Sequence, residues 1–293
     1  MKAAAFAYAR ATSVANALEL LTAHGERAKV LSGGQSLLPA MNLRLLSPEL
    51  IIDIGGLAEL RGVVAQGGVL TIGALTRHAD LLKSAEITAH APLLTDAVVH
   101  VAHPAIRNRG TIGGSLAHAD PASELPACML ALGATMIVRG PNGERRIAAS
   151  EFFAGIYETS LEPQELLVAV ELPVTPKSST HFFHEFARRH GDYAIVGLAA
   201  QSLVRDGQFA DLRLGFFAVG DRPLLATSAG KLVGVAVTPA VLSEASSALD
   251  DELDPLEDHQ ATPAMRRHLA KVLLGRCVSS LLGRPDLRPG ASA

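Results

Sequence analysis

The first 60 residues alternate short apolar runs with one stretch of helical periodicity. Apolar positions within residues 13–21 recur at helical spacing, and Ser13 stands where a helix N-cap is expected. The apolar runs at residues 28–31 and 50–54 are short and bounded by glycine or proline, which predicts strands. Strand, helix and strand in this order indicate an α/β lobe over residues 1–60.

A second lobe is predicted over residues 61–175. Its pattern gives strands at 68–72 and 166–172, a helix at 75–82 capped by Gly73 or Thr76, and further helices at 92–101 and 122–132. Residues 135–138 and 144–147 flank the turn Pro-Asn-Gly and predict a hairpin.

Residues 173–180, Pro-Val-Thr-Pro-Lys-Ser-Ser-Thr, have the composition of a linker, so we place a domain boundary near residue 176. A C-terminal domain then covers residues 176–293. It contains predicted strands at 181–187 and 212–219, a strand or helix at 195–204, and helices at 239–249 and 263–282. The tail from about residue 284, rich in Pro, Gly and Ala, is predicted to be frayed and disordered.

Composition excludes several classes of protein. Hydrophobic residues make up 48% of the chain and charged residues 19%, as in ordinary globular proteins. The net charge of −3 and the lack of a dense Lys/Arg run argue against nucleic-acid binding. No window approaches the roughly 18 consecutive apolar residues of a membrane span. We therefore expect a cytoplasmic protein with no membrane span.

The sequence gives little support for metal binding or for nucleophilic chemistry. Cys128 and Cys277 cannot ligate an iron–sulfur cluster, which normally needs about four cysteines. We interpret both as buried structural thiols. His100, His103 and His118 fit no compact zinc motif, so no metal site is predicted on this chain. A redox role would require a bound organic cofactor.

Two glycine-rich segments carry the candidate chemistry. The first turn, within residues 30–38, contains Gly33, Gly34, Gln35 and Ser36; the second turn, within residues 109–120, contains Gly110, Thr111, Gly113, Gly114 and Ser115. Glycine lets backbone N–H groups approach a pyrophosphate closely, and hydroxyl side chains add donors. Neither segment fits the Rossmann fingerprint or the P-loop. A single Gly-Gly is more often just a tight turn. Two such segments leave two interpretations equally open: a phosphate-binding site and two ordinary tight turns.

The residues resemble a known family. The segments SGGQSLLPAMNLRLLSPELIIDI, TIGALTRHADL and HPAIRNRGTIGGSLAHADPASELPA resemble the FAD-binding medium subunit of the xanthine dehydrogenase and carbon monoxide dehydrogenase family, the molybdenum hydroxylases. LEPQELLVAVELP and FARRHGDYAIVGLAA extend the resemblance over nearly the whole chain.

This resemblance implies an α+β fold. It consists of a two-lobed FAD-binding unit of the vanillyl-alcohol oxidase/p-cresol methylhydroxylase type, followed by a C-terminal domain with a small antiparallel sheet and helices. It also implies a dimer of heterotrimers with a molybdopterin-binding large subunit and a small subunit carrying [2Fe–2S] clusters. Electrons would pass from those clusters through FAD to an external acceptor, with no catalytic residue on this chain.

The resemblance also assigns cofactor contacts. Two groups would enclose the FAD diphosphate: Leu31, Ser32, Gly33, Gly34, Gln35, Ser36 and Leu37 on one side, and Gly110, Thr111, Ile112, Gly113, Gly114 and Ser115 on the other. Asp120 and Glu124 either contact the cofactor or are acids that stabilise a helix start. Leu167 either lies beside the isoalloxazine or is plain strand core. Tyr193 either stacks on the flavin or is an ordinary surface or core tyrosine.

Two positions depart from the family pattern. Ser115 stands where many relatives have Asn or Asp, and Glu185 stands where lysine is common. Two other functions stay open beside the electron-transfer subunit. One is a self-sufficient FAD-dependent oxidoreductase of the same fold, and the other is a non-catalytic module that binds an anion or a nucleotide.

Overall fold

The computed structural model describes residues 2–289, and its N-terminal lobe is built on a three-stranded parallel sheet in the order β1–β3–β2. Its elements are β1 (Ala7–Arg10), α1 (Val14–His24), β2 (Ala28–Leu31), α2 (Leu37–Asn42) and β3 (Leu50–Asp53). The Ser13 hydroxyl accepts a hydrogen bond from the Asn16 N–H and caps α1, as the sequence predicts.

The second lobe contains a five-stranded antiparallel sheet in the order β4–β5–β10–β6–β7. Its elements are β4 (Val63–Gln66), β5 (Val69–Gly73), α3 (His78–Leu81), α4 (Ala85–His90), α5 (Pro92–Val98), α6 (Pro104–Arg107), α7 (Ile112–His118), α8 (Glu124–Leu132), β6 (Thr135–Gly140), β7 (Gly143–Ala148), α9 (Ala149–Phe152), β8 (Phe153–Gly155), β9 (Glu158–Thr159) and β10 (Leu166–Pro173). The hairpin of β6 and β7 is the one predicted across Pro-Asn-Gly.

The C-terminal part is an antiparallel sheet in the order β11–β12–β13–β14, covered by long helices. Its elements are β11 (Ser179–Phe186), β12 (Val196–Arg205), β13 (Gln208–Phe217), β14 (Leu224–Leu225), α10 (Pro239–Glu252) and α11 (Pro263–Leu282). The predicted bounds of α11 are confirmed, because a Thr262 cap with Pro263 marks its start and Gly283 its end. Residues 195–204, left open as strand or helix, form β12.

Helix α8 joins the second lobe to the C-terminal sheet. Residues 125–132 are all buried, since this helix packs against α5 and α7 on one side and β12 and β13 on the other. A Cβ on Gly215 of β13 would overlap the Ala127 carbonyl oxygen, so glycine permits the close approach. One hydrophobic core thus continues from the second lobe into the C-terminal sheet.

Two predictions about local structure are wrong. The helix predicted at residues 75–82 is only His78–Leu81, because the preceding backbone is extended and bonds to residues 60–62. The Thr76 hydroxyl bonds Gly62 instead of capping a helix.

Residues 284–289 are ordered, unlike the predicted frayed tail. Pro285–Leu287 forms a 3₁₀ turn and Leu287 is buried in the C-terminal core. The remainder of that prediction, residues 290–293, lies outside the described residues. Within residues 2–289, no helix is both long enough and apolar enough to span a membrane.

Candidate functional site

The two glycine turns, distant in sequence, contact each other directly. A Cβ on Gly33 would overlap the Arg109 carbonyl oxygen and lie 2.8 Å from the Gly110 Cα, so only glycine lets the two backbones approach this closely. The hydroxyls of Ser32 and Thr111 are 2.7 Å apart and share a hydrogen bond. The first turn follows β2, and the second continues into the first residues of α7 (residues 112–115), so the contact joins the first lobe to the second.

The first turn leaves its backbone donors unpaired. In residues 2–289, no backbone N–H group of residues 32–37 donates a hydrogen bond to a backbone or side-chain acceptor. Gly34 has a φ of +71°, and the Gln35 side-chain amide donates to the Gly33 carbonyl oxygen at 3.0 Å, which closes the turn. A run of free amides in a positive-φ turn is the arrangement that binds anions such as a diphosphate.

The second turn uses its backbone donors for packing. The N–H groups of Ile112 and Gly113 donate to the carbonyl oxygens of Thr76 (3.0 Å) and Ala74 (2.9 Å). The Gly114 N–H donates to Thr111 Oγ1 at 3.1 Å, which caps α7. A Cβ on Gly113 would lie 2.5 Å from the Ala74 Cβ. This turn is therefore a packed wall beside the first turn, and it does not present the array of free amides that its sequence suggests.

The hydroxyls predicted as donors differ in their availability. Ser115 Oγ lies 3.0 Å from Nε2 of His78, a residue that is 3% exposed. Burial lowers the His78 pKa to about 4, so the ring is neutral at neutral pH. Thr111 is engaged with Ser32 and Gly114, whereas Ser36 is exposed and makes no capping hydrogen bond. Ser36 is thus the hydroxyl freest to meet a ligand.

Asp120 and Glu124 follow the second turn along the chain. Ala119 ends α7 in a left-handed conformation (φ +50°), and Asp120 behind it is 7% exposed and accepts from the Ala122 N–H at 2.9 Å. Glu124 is the first residue of α8, and burial raises its pKa to about 8. Glu124 is therefore mostly protonated at neutral pH, which does not fit an acid that stabilises the helix start by its charge.

The residues proposed for the isoalloxazine lie in different environments. Leu167 is 4% exposed on β10 and packs in the same core as Ile112, which is fully buried. Tyr193 is 62% exposed on the segment that follows β11. Desolvation, and then the charge of Asp120, raises the Tyr193 pKa to about 12, so the phenol stays protonated.

Tyr157 belongs to this region but was not predicted from the sequence. Its N–H donates to the Ala119 carbonyl oxygen at 3.3 Å, and its ring stacks on His118 with centroids 4.8 Å apart. It lies at the tip of the short β8–β9 hairpin with a φ of +57° and is 56% exposed. A strained, exposed aromatic side chain beside Asp120 is typical of a ligand site. The sequence did not predict Tyr157 because this hairpin is too short to give a periodic hydrophobic pattern.

Known proteins share this architecture. Residues 4–175 match the family described as the FAD binding domain in molybdopterin dehydrogenase, and residues 181–281 match the CO dehydrogenase flavoprotein C-terminal domain. The 6-hydroxypseudooxynicotine dehydrogenase complex subunit alpha of Paenarthrobacter nicotinovorans is 38% identical over 286 residues, which cover 97% of each chain. The carbon monoxide dehydrogenase medium chain of Afipia carboxidovorans is 36% identical and covers 95% of this chain and 97% of its own.

Solved structures of similar proteins have the same fold as this chain. Carbon monoxide dehydrogenase from Hydrogenophaga pseudoflava superposes with a TM-score of 0.95 at 35% identity, covering 97% of this chain and 99% of that one. Quinoline 2-oxidoreductase from Pseudomonas putida superposes with a TM-score of 0.89 at 36% identity, covering 97% and 99%. The protein therefore belongs to the family of FAD-binding medium subunits of molybdenum hydroxylases and is a subunit of an oxidoreductase complex.

Proposed function

We propose that this chain is an electron-transfer subunit that receives electrons from [2Fe–2S] clusters on a partner subunit and passes them through FAD to an external acceptor. The observation that carries the proposal is the row of unpaired amides at residues 32–37, held against the second turn by the Ser32–Thr111 contact. FAD supplies the redox chemistry when bound. The chain itself binds, orients and shields the cofactor.

The proposed contacts divide into two kinds. Residues 31–37 bind the diphosphate, chiefly by backbone N–H groups and the Ser36 hydroxyl. Residues 110–115 form the rigid wall that fixes the first turn in place, because most of their donors are already used. Asp120, Glu124, Leu167 and Tyr193 form the proposed ring side of the site, to which we add Tyr157.

The partners follow from the relatives. One is named a dehydrogenase complex subunit and another a medium chain, and a solved relative is titled a Cu,Mo-CO dehydrogenase. These names support a molybdopterin-binding large subunit and an iron–sulfur small subunit for this chain, arranged as a dimer of heterotrimers. The cytoplasm is the proposed location.

Expression of the chain together with its partner subunits tests this function. We expect the purified complex to release FAD in a 1:1 ratio to this chain. Its flavin absorbance should bleach when the complex meets its substrate, to be found among N-heterocycles, aldehydes and carbon monoxide. The isolated chain should bind FAD but show no bleaching with the same compounds.

Other outcomes would favour the alternatives. Turnover of one of these compounds by the isolated chain would replace the subunit proposal with a self-sufficient oxidoreductase. Recovery of ADP and never of FAD would favour a nucleotide-binding module.

A further inference from the structure

Three titratable side chains lie near one another where the second lobe packs against the C-terminal sheet. They are His100, just after α5; Glu124, at the start of α8; and Glu185, on β11. His100 Nδ1 lies 3.2 Å from Glu185 Oε1, and the Glu185 side chain is only 4% exposed. The other Glu185 oxygen, Oε2, is buried and has no hydrogen-bond partner. A buried carboxylate oxygen without a donor is costly, so this group has capacity to accept a proton.

The three groups do not all carry their full charge. Burial raises the Glu124 pKa to about 8, and among charged neighbours Glu185 raises it further. The hydrogen bond to Glu185 raises the His100 pKa, which favours the imidazolium form. Glu124 is therefore partly ionised near pH 8, and close to it Glu185 holds the His100 ring by a hydrogen bond.

No lysine or arginine within the described residues forms an ion pair with Glu124 or Glu185. The basic side chain that pairs with Glu185 is therefore His100, and the Glu124 carboxyl has no cationic partner among these residues. Other titratable or charged groups packed around them are Asp96 with its partner His181, Asp120, Cys128, His184 beside Arg276, His190 and Tyr193.

This cluster borders the proposed ring side of the cofactor site. Glu124 is close enough to Tyr193 for its charge to raise the Tyr193 pKa. β11, which carries Glu185, leads directly into the segment that carries Tyr193. That segment is fixed to the second lobe at Gly191, where a Cβ would lie 2.6 Å from the His103 ring. A change of charge at the ring side would therefore be felt at the cluster.

We propose that Glu124, Glu185 and His100 form a proton-binding site that takes up a proton from solvent when the cofactor held beside Tyr193 gains negative charge. This inference rests on the proposed function. The electrons arrive from the partner subunit and the proton comes from bulk water. The proton binds a carboxylate oxygen of Glu124, part of which is ionised near pH 8, or the unpartnered Oε2 of Glu185. His100, whose side chain is 31% exposed, connects the buried Glu185 side chain to solvent.

The first experiment measures the cluster in the full-length chain. The chain is labelled with ¹³C at the glutamate carboxyls and titrated by NMR. We expect one glutamate to titrate near pH 8, and its signal to be absent in Glu124→Gln. In Glu185→Lys this titration should move to lower pH, because a cation then faces Glu124. A Glu124 that titrates in the ordinary range of about 4 to 5 would overturn the inference.

The second experiment measures the cofactor potential in the assembled complex between about pH 7 and 9. If a proton binds the cluster on reduction, the potential of the wild type falls more steeply with pH than that of Glu124→Gln or Glu185→Gln. Glu171→Gln is the matched control, since Glu171 pairs with Arg146 on the five-stranded sheet, and it should keep the wild-type slope.

The outcomes separate the two proposals. Equal slopes in the wild type and both cluster variants, with FAD bound, would overturn the proton-binding site alone. A wild-type complex without FAD would overturn the proposed function as well. The FAD content and circular dichroism of each variant show whether it has folded, and His100→Gln provides a further variant that should also flatten the slope.

Discussion

The two glycine turns resemble each other in sequence but have different structural roles. In the first, the N–H groups of residues 32–37 are unpaired and face no acceptor in the described chain. In the second, Ile112, Gly113 and Gly114 donate to Thr76, Ala74 and Thr111. Glycine in the second turn lets α7 pack against residues 74–76, whereas glycine in the first turn is proposed to serve the cofactor.

The two turns should therefore contribute to different properties: the first to cofactor binding and the second to folding stability. A change in the first turn should weaken cofactor binding more than folding, and a change in the second should do the reverse. The exception is Gly33, which both lies in the binding turn and contacts the second turn. The predictions that follow test how far the two roles are separate.

The largest effects are expected for Gly33→Ala and Gly113→Ala. The new Cβ at position 33 would overlap the Arg109 carbonyl and push the turns apart, so FAD binding should weaken more than about tenfold. The new Cβ at position 113 would lie 2.7 Å from the Ala74 carbonyl oxygen, which should lower the free energy of unfolding by about 3 kcal/mol. Equilibrium dialysis and urea denaturation measure these quantities. A Gly113→Ala chain of normal stability that had lost FAD would contradict the division of roles.

The second prediction concerns His78, which is buried beneath the second turn. Its folded-state pKa is about 4, below the ordinary value of 6.5, so the unfolded chain binds a proton first as pH falls. Stability should decrease from about pH 6.5 to 4 by roughly 3 kcal/mol and then level off for this group. Urea denaturation at each pH should show this decrease for the wild type and a smaller one for His78→Gln. Indistinguishable profiles would mean that this ring does not control acid stability.

The sequence predicted the elements whose signals are local. α1 and α11 have caps and long periodic patterns, and the β6–β7 hairpin has its turn residues in place. The glycines of both turns were also identified from the sequence. Their different roles were not, because the acceptors for the second turn are Ala74 and Thr76, just before and just inside the segment 75–82 that was predicted as a helix. The wrong helix prediction therefore hid the packing role of the second turn.

Other parts of the site depend on contacts that no local pattern encodes. Tyr157 reaches Ala119 across a two-residue hairpin tip, and Glu185 meets His100, which is 85 positions away in sequence. Long-range contacts of this kind are set by how α5, α8 and β11 pack together. The resemblance to a family supplied positions such as Asp120 and Tyr193, but it carried no information about their protonation or exposure.

The third prediction compares the two hydroxyls that join the turns. Thr111 Oγ1 both caps α7 and bonds Ser32, so Thr111→Ala should lower the free energy of unfolding by about 1.5 kcal/mol. Ser32→Ala removes only the contact between the turns and should cost about 1 kcal/mol or less. Thr111→Ser retains both bonds and serves as the control. Equal losses in Thr111→Ala and Ser32→Ala, measured by urea denaturation, would show that the cap contributes nothing.

The smallest effect is expected from a pair of positive-φ glycines, Gly34 in the first turn and Gly25 at the end of α1. Both have a positive φ, of +71° and +53°, and Gly25 combines it with a ψ of −134°, outside the left-handed helical region, so alanine is strained at both positions. Nothing lies within 4 Å of a Cβ on Gly25, while a Cβ on Gly34 would meet the flexible side chains of Leu31 and Leu38 at 3.0 and 3.1 Å. Gly34→Ala and Gly25→Ala should therefore both lose stability in urea. Only Gly34→Ala should also weaken FAD binding, by a few-fold, because relief of the strain rotates the amides of residues 33–35 out of line. Equal FAD affinity in both variants would mean that the orientation of these amides does not limit binding, and that the first turn, like the second, acts mainly through packing.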